Sequence, residues 1–280
     1  MGTVYKYCDN RGVDILQNLE LKITPANQFN DPFEFTPVVI CSDLEAEARS
    51  LIEPQDVGFF ESKYLEEKAG GKFLGSFQDF MDGFVTSHLM KAIPDTAKKL
   101  QDGYLDLISI HFGVLCLSKK RNSIVMFSHY GDNHHGFAIG FDDSHPIFQK
   151  GKGLQPVNYV AERVVFDMNW EMAGAEERKY AEVLVFSKNE EWKYEDEIRQ
   201  IFPLDECPIK KPFKNKRTGE EMTGHFYPIT PEAIQSVSLG IKCSAEVESQ
   251  INLVLQNKHF SHVKLDRARL HESKFELTFE

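Results

Sequence analysis

The sequence has no Cys-x-x-Cys pair, no apolar run that approaches a membrane span, and no internal repeat or low-complexity linker. Its five cysteines, Cys8, Cys41, Cys116, Cys207 and Cys243, are odd in number and widely spaced. That argues against both a zinc knuckle and a disulfide framework. The first ten residues, MGTVYKYCDN, hold no apolar signal stretch. A reduced, cytoplasmic protein with no membrane contact is the expectation. Positive charge is scarce too: 32 Lys and Arg against 43 Asp and Glu give a net charge of -11. This excludes generic, charge-driven nucleic-acid binding over the whole surface. One basic concentration, PIKKPFKNKR at 208–217, reads as a solvated loop.

What is present is ample core material. A chain of 280 residues, 41% hydrophobic and with 22 phenylalanines, can bury one large aromatic-rich core. Strand patterns are expected at 3–7, 19–23, 112–117, 136–141, 156–160, 164–166, 192–202, 233–239, 263–270 and 275–280. Helical patterns are expected at 13–18, after Ser42, at 59–69, 73–90, 95–107, 123–130, 173–187 and 245–256. Ser42 with Glu45 has the spacing of a capping box, and Gly70-Gly71 and Pro94 read as breaks. With strands at both chain ends and helices gathered between, the expected class is α+β, with mixed, mainly antiparallel sheets. The chain reads as a single domain whose residues 42–110 form a helical insertion or lid.

Four stretches carry candidate chemistry. WKYEDEIRQIF, 192–202, is the most informative. As one strand it would place Glu195, Glu197 and Arg199 on one face, and Tyr194, Asp196, Ile198 and Phe202 on the other. Two carboxylates and a guanidinium in a row are costly unless they are solvated or bind something. Such a Glu pair can grip a sugar hydroxyl and stabilise positive charge on the ring, dividing the roles by environment. Arg199 could keep its neighbour ionised or contact a phosphate. FNDPFE, 29–34, is a turn in which Asp31 can bond a nearby amide. That explains Asn30-Asp31-Pro32 but not a glutamate between Phe33 and Phe35. In MFSHYGDNHHG, 126–136, the histidines lack an i,i+4 pair and a cysteine partner, so no metal site is expected. Ser128, His129 and Tyr130 could instead hydrogen-bond and stack on a flat heterocycle. In YKY, Tyr5 and Tyr7 share one strand face.

Taken together, these motifs resemble an uncharacterised bacterial domain family with an L-Y-K-Y-like first strand, F-N-D-P-F-E, C-L-S, M-W-S-H-Y…H-x-G and W-x-Y-E-x-E-x-R. Phe127 stands where tryptophan is usual. More distantly, an aromatic first strand, a middle Ser/Tyr segment and a late Glu-x-Glu look like the ADP-ribosyltransferase fold. That resemblance implies split sheets and cleavage of the nicotinamide–ribose bond of NAD, used as a co-substrate. It implies Glu197 as catalytic glutamate and Glu195 as its companion. Tyr130 or Ser128 would line the nicotinamide pocket, and Tyr5 or Tyr7 would replace the usual first-strand His or Arg. Asn30, Asp31, His129 and Arg199 join these as candidate cofactor contacts. The implied role is an effector in bacterial defence or a toxin–antitoxin pair, with a neutralising antitoxin or defence partner and an acceptor macromolecule. The alternative is a non-catalytic nucleotide- or protein-binding sensor. A nuclease would need a carboxylate cluster with Glu-x-Lys and a metal, and Glu61-Ser62-Lys63 is too isolated for one.

Overall fold

The computed structural model describes residues 2–168, 182–214 and 219–280. The chain is α+β, with a mixed, mainly antiparallel sheet of eleven strands. The chain divides into two compact units, Met1–Glu34 with Asp106–Glu162 and Phe186–Glu280, and Phe35–Leu105 with Arg163–Val185.

The first unit holds the large sheet. Its central strand, Phe112–Ser118, pairs along its whole length with the glutamate strand, Glu197–Pro203. Both are largely buried on both faces; the central strand accordingly reads as an apolar run, while the glutamate strand buries Glu197, Arg199 and Gln200 among its apolar residues. The other edge of the central strand has two partners, one at each end. The first strand, Thr3–Cys8, meets it only at Tyr5 opposite Ser118. The second strand, Glu20–Pro25, meets it at Thr24 and Pro25, opposite Val114 and Gly113. Residues 115–117 have no strand partner on that edge among the described residues. The sheet therefore splits. One arm continues from the first strand through Phe137–Asp142, Ile234–Leu239, Lys264–Leu270 and Leu277–Phe279, and the other from the second strand through Glu221–Pro228 and Ile209–Lys214.

The core beneath this sheet is aromatic and aliphatic, with Phe137, Phe141, Phe148, Leu16, Leu21, Ile23 and Leu115 almost wholly buried. Its closest backbone approach is at Gly136. A Cβ there would lie 1.9 Å from the Cys8 carbonyl oxygen, so only glycine lets the strand Phe137–Asp142 start against the first strand.

The second unit contains the helices Leu44–Ser50, Val57–Ala69 and Phe77–Phe84, a π turn at Val85–Leu89, and the start of Met90–His111. Two expectations change here. Asp43, not Ser42, caps Leu44–Ser50, accepting from the Ala46 amide at 2.9 Å. Pro94 does not break the chain but sits inside Met90–His111, within its second turn.

Three further expectations change in the first unit. The basic stretch is no loop: Ile209–Lys214 forms an edge hairpin with Glu221–Pro228, while 215–218 lie outside the described residues. Of the helix expected at 173–187, with its strand-like end EVLVFS, residues 173–181 lie outside the described residues, 182–185 are helical, and a strand starts at Ser187–Asn189. The third is the stretch 192–202, which is not one strand. Glu190–Glu195 is a 3-10 helix, Asp196 is left-handed at φ 45° and ψ 52°, and the strand begins at Glu197. Aspartate tolerates that region better than most residues, so the corner falls where the sequence permits it.

Candidate active site

The carboxylates of the late Glu-x-Glu are buried, not solvated. Glu195 is 3% exposed, Glu197 6% and Arg199 0%. The alternation expected of a strand does not bring Glu195 and Glu197 together. The corner at Asp196 does, turning Glu195 from the helix towards Glu197 at the start of the strand. The Glu195 carbonyl accepts from Ser118 Oγ and the Glu197 amide donates to Tyr159 Oη at 2.8 Å, fixing both sides of the corner.

Five ionisable groups then interlock. Glu197 Oε1 accepts from Arg199 Nε at 2.8 Å; Oε2 accepts from Arg199 Nη2 at 2.9 Å and Lys188 Nζ at 3.0 Å. Glu195 Oε2 accepts from Lys188 Nζ at 2.6 Å, and its Oε1 accepts from Tyr130 Oη at 2.6 Å. Glu34, the unexplained glutamate of FNDPFE, pairs through Oε1 with Arg199 and lies 3.7 Å from Lys188 Nζ. Its turn is built by Asp31, whose Oδ1 accepts from the Phe33 amide and whose carbonyl accepts from Glu34 N. Lys188 comes from the strand Ser187–Asn189, parallel to Asn158–Val160, and its ammonium lies 4.9 Å from the centre of the Trp192 ring.

Electrostatics separate the three carboxylates. Burial pushes Glu197 up, but the charges and hydrogen bonds of Arg199 and Lys188 prevail and hold it down at about 2. It is a fixed anion. Burial raises Glu195 above the ordinary carboxylate range against the opposing pull of Lys188 and Tyr130. It raises Glu34 likewise, against Arg199 and Lys188. Burial would lower Lys188, yet Glu197, Glu34 and Glu195 outweigh it and it stays protonated. Three carboxylates face two cations, which leaves one excess negative charge when all are ionised.

A cleft of about 430 Å³ opens over this cluster, where the first and second strands part. That volume suits a small-molecule site. Among its lining residues are Tyr5, Tyr7, Asn30, His129, Tyr130, Glu195 and Glu197, all singled out in the sequence, and Lys188, Cys116 and Phe29, which were not. Three candidates fall elsewhere. Arg199 lies behind Glu197, within 5.9 Å of the centre of the Phe29 ring, and does not line the cleft. Asp31 is buried in its turn. Ser128 Oγ donates back to the Ile124 carbonyl at 3.0 Å and is 3.0 Å from His134 Nε2.

The remaining groups are oriented by neighbours. Tyr7 donates to the Lys120 carbonyl at 2.7 Å and stands edge-on to Phe127 with ring centres 4.9 Å apart. His129 Nδ1 is 2.8 Å from Tyr194 Oη. The helix Ile124–His129 that presents His129 and Tyr130 is capped by Ser123, which accepts from the Met126 amide. Burial, then the Glu197 charge, push the Cys116 thiol well up, which disfavours its thiolate. Among the described residues, no group of three His, Cys, Asp or Glu side chains stands where it could hold a metal, and no helix is long and apolar enough to cross a membrane.

Lys188 left almost no trace in the sequence, because a lone lysine in a short strand has no periodic signature. Glu34 did leave one: a glutamate between two phenylalanines has no reason to be there unless it is paired.

Comparison with curated proteins and with solved structures yields no match. Residues 126–200, which run from the helix of Tyr130 through Lys188, Glu195 and Glu197 to the residue after Arg199, match the family model described as Protein of unknown function (DUF2971). Over that stretch, and not beyond it, the chain is similar to this uncharacterised domain family.

Proposed function

We propose that the protein cleaves the nicotinamide–ribose bond of NAD, transferring ADP-ribose to an acceptor or to water. The observation that carries this reading is the buried cluster of three carboxylates and two cations at the floor of an aromatic-lined cleft. Such a site favours a ligand that brings a positive charge, and NAD brings one on its nicotinamide ring. When the C–N bond breaks, its electron pair leaves with nicotinamide and the positive charge moves to the ribose. Glu197, held ionised by Arg199 and Lys188, stabilises that charge without reorganising. Glu195, with its raised affinity for a proton and its bond to Tyr130, takes the proton of the attacking hydroxyl. Tyr5 and Tyr130 supply aromatic surface for the ring.

The test is nicotinamide release from NAD by the wild type and by Glu197→Gln, which keeps the side chain's shape. A fall of about 100- to 1000-fold is expected, the range for removing a preorganised electrostatic group. A thermal melt checks folding, and Glu195→Gln serves as a companion should Glu197→Gln unfold. No release by the wild type, or unchanged release by both variants, sinks the reading. A second reading has one observation in its favour: both Glu197 oxygens already accept hydrogen bonds from the protein. The site would then hold an intact nucleotide as a sensor, and tight NAD binding without nicotinamide release would identify it.

A further inference from the structure

A second cleft of about 770 Å³ shares Lys6, Tyr7, His129 and Tyr130 with the first. The two therefore adjoin along the first strand and the end of the helix Ile124–His129. Four basic and four acidic side chains line the second cleft, and they are unevenly paired. Asp9 pairs with Arg11, and Asp14 and Asp132 also act on Arg11. Glu20 pairs with Lys211. Among the described residues, Lys6 and Lys22 have no carboxylate partner.

Lys22 stands on the face of the second strand opposite the buried Leu21 and Ile23. Its ammonium donates to Gln28 Oε1 at 3.2 Å and lies 4.6 Å from the centre of the Phe213 ring. Gln28 in turn lines the first cleft. Burial, then the positive charges of Lys6 and Arg11, lower the affinity of Lys22 for its proton. Two lysines outside any ion pair among the described residues, Lys6 in both clefts and Lys22 in the second, offer charged donors to an anion.

We propose that Lys6 and Lys22 form an anion subsite that takes the diphosphate of a dinucleotide, with the nicotinamide–ribose end over Glu195 and Glu197. The choice of a dinucleotide rests on the NAD reading; the anion subsite itself does not. Continuity of the two clefts lets one ligand reach both, and Phe213 and Phe226 in the second cleft offer aromatic surface to the far base.

The probe is ADP, titrated calorimetrically into the wild type, Lys6→Gln, Lys22→Met and the double variant. Lys22→Met keeps the apolar stem and removes the charge. ADP affinity is expected to fall by about threefold in each single variant and by about tenfold in the double, roughly the loss of one ordinary hydrogen bond per lysine. Thermal melts should be unchanged, and if the double variant melts low, the single variants decide. Failure of the wild type to bind ADP, or unchanged affinity in the variants, overturns the subsite. Nicotinamide release separates this from the preceding reading. ADP binding lost in the variants, with no release from NAD by the wild type, keeps the subsite and removes the cleavage. Release with an unchanged KM for NAD in the double variant does the reverse.

Discussion

Arg49 and Arg199 are each held by two carboxylates, and water makes them different. Arg49, in the helical unit, reaches Glu45 and Asp82 at 2.8 Å, but its side chain is 43% exposed. Arg199, in the sheet unit, reaches Glu34 and Glu197 with no exposure. The exposed pairs form where solvent screens them and contribute little. The buried cluster is expensive to desolvate, and its geometry alone does not make it a net stabiliser. Charges kept inside at that cost, beneath a cleft, are better explained by what they bind than by what they hold together.

The largest effect expected from breaking this contrast is on folding. Arg199→Met leaves Glu34 and Glu197 buried against Lys188 alone, and should lower the unfolding free energy by about 3–5 kcal/mol in urea titration. Arg49→Met should leave the same titration unchanged. Equal losses in the two variants would remove the distinction.

Legibility in the sequence follows the same divide. The strand Thr3–Cys8, the helix Val13–Asn18, the central strand and the C-terminal run from Ile234–Leu239 through Ala245–Leu255 to Lys264–Leu270 follow hydrophobic period and turn chemistry, and the structure has them there. The site was legible as residue types and as motifs, but not as geometry. Glu195 and Glu197 share an environment because Asp196 turns a left-handed corner, whereas alternation along one strand implied the wrong reason. Lys188 and Glu34 reach the cluster through long-range packing, which no local pattern encodes. The split of the sheet depends on which strands share the edge of Phe112–Ser118, and that is a matter of pairing rather than propensity.

A smaller effect sharpens the roles within the cluster. Glu195 must be ionised to accept a proton, so nicotinamide release should be present above its raised pKa and be lost as the pH falls through it. Tyr130→Phe removes a donor that favours the ionised form, so the acidic limb should move to higher pH. A limb in the ordinary glutamate range, unmoved by Tyr130→Phe, would take the base role from Glu195. Stability carries two opposed signs. Glu197, lowered from 4.5 to about 2, contributes stability that is lost as the pH falls between those values. Glu34 and Glu195, both raised, reduce stability as the pH rises above the ordinary carboxylate range.

The proposed preference of the carboxylate cluster for a cationic ligand is tested most directly by comparing two ligands that differ at the nicotinamide ring. A carbocyclic NAD analogue keeps the ring's positive charge and cannot be cleaved, and NADH has lost that charge. Calorimetric titration near neutral pH should find the cationic analogue bound about tenfold more tightly. That is the order set by one charge roughly 6 Å from another at a partly screened site. Equal affinities, or tighter binding of NADH, would contradict a site built to read positive charge.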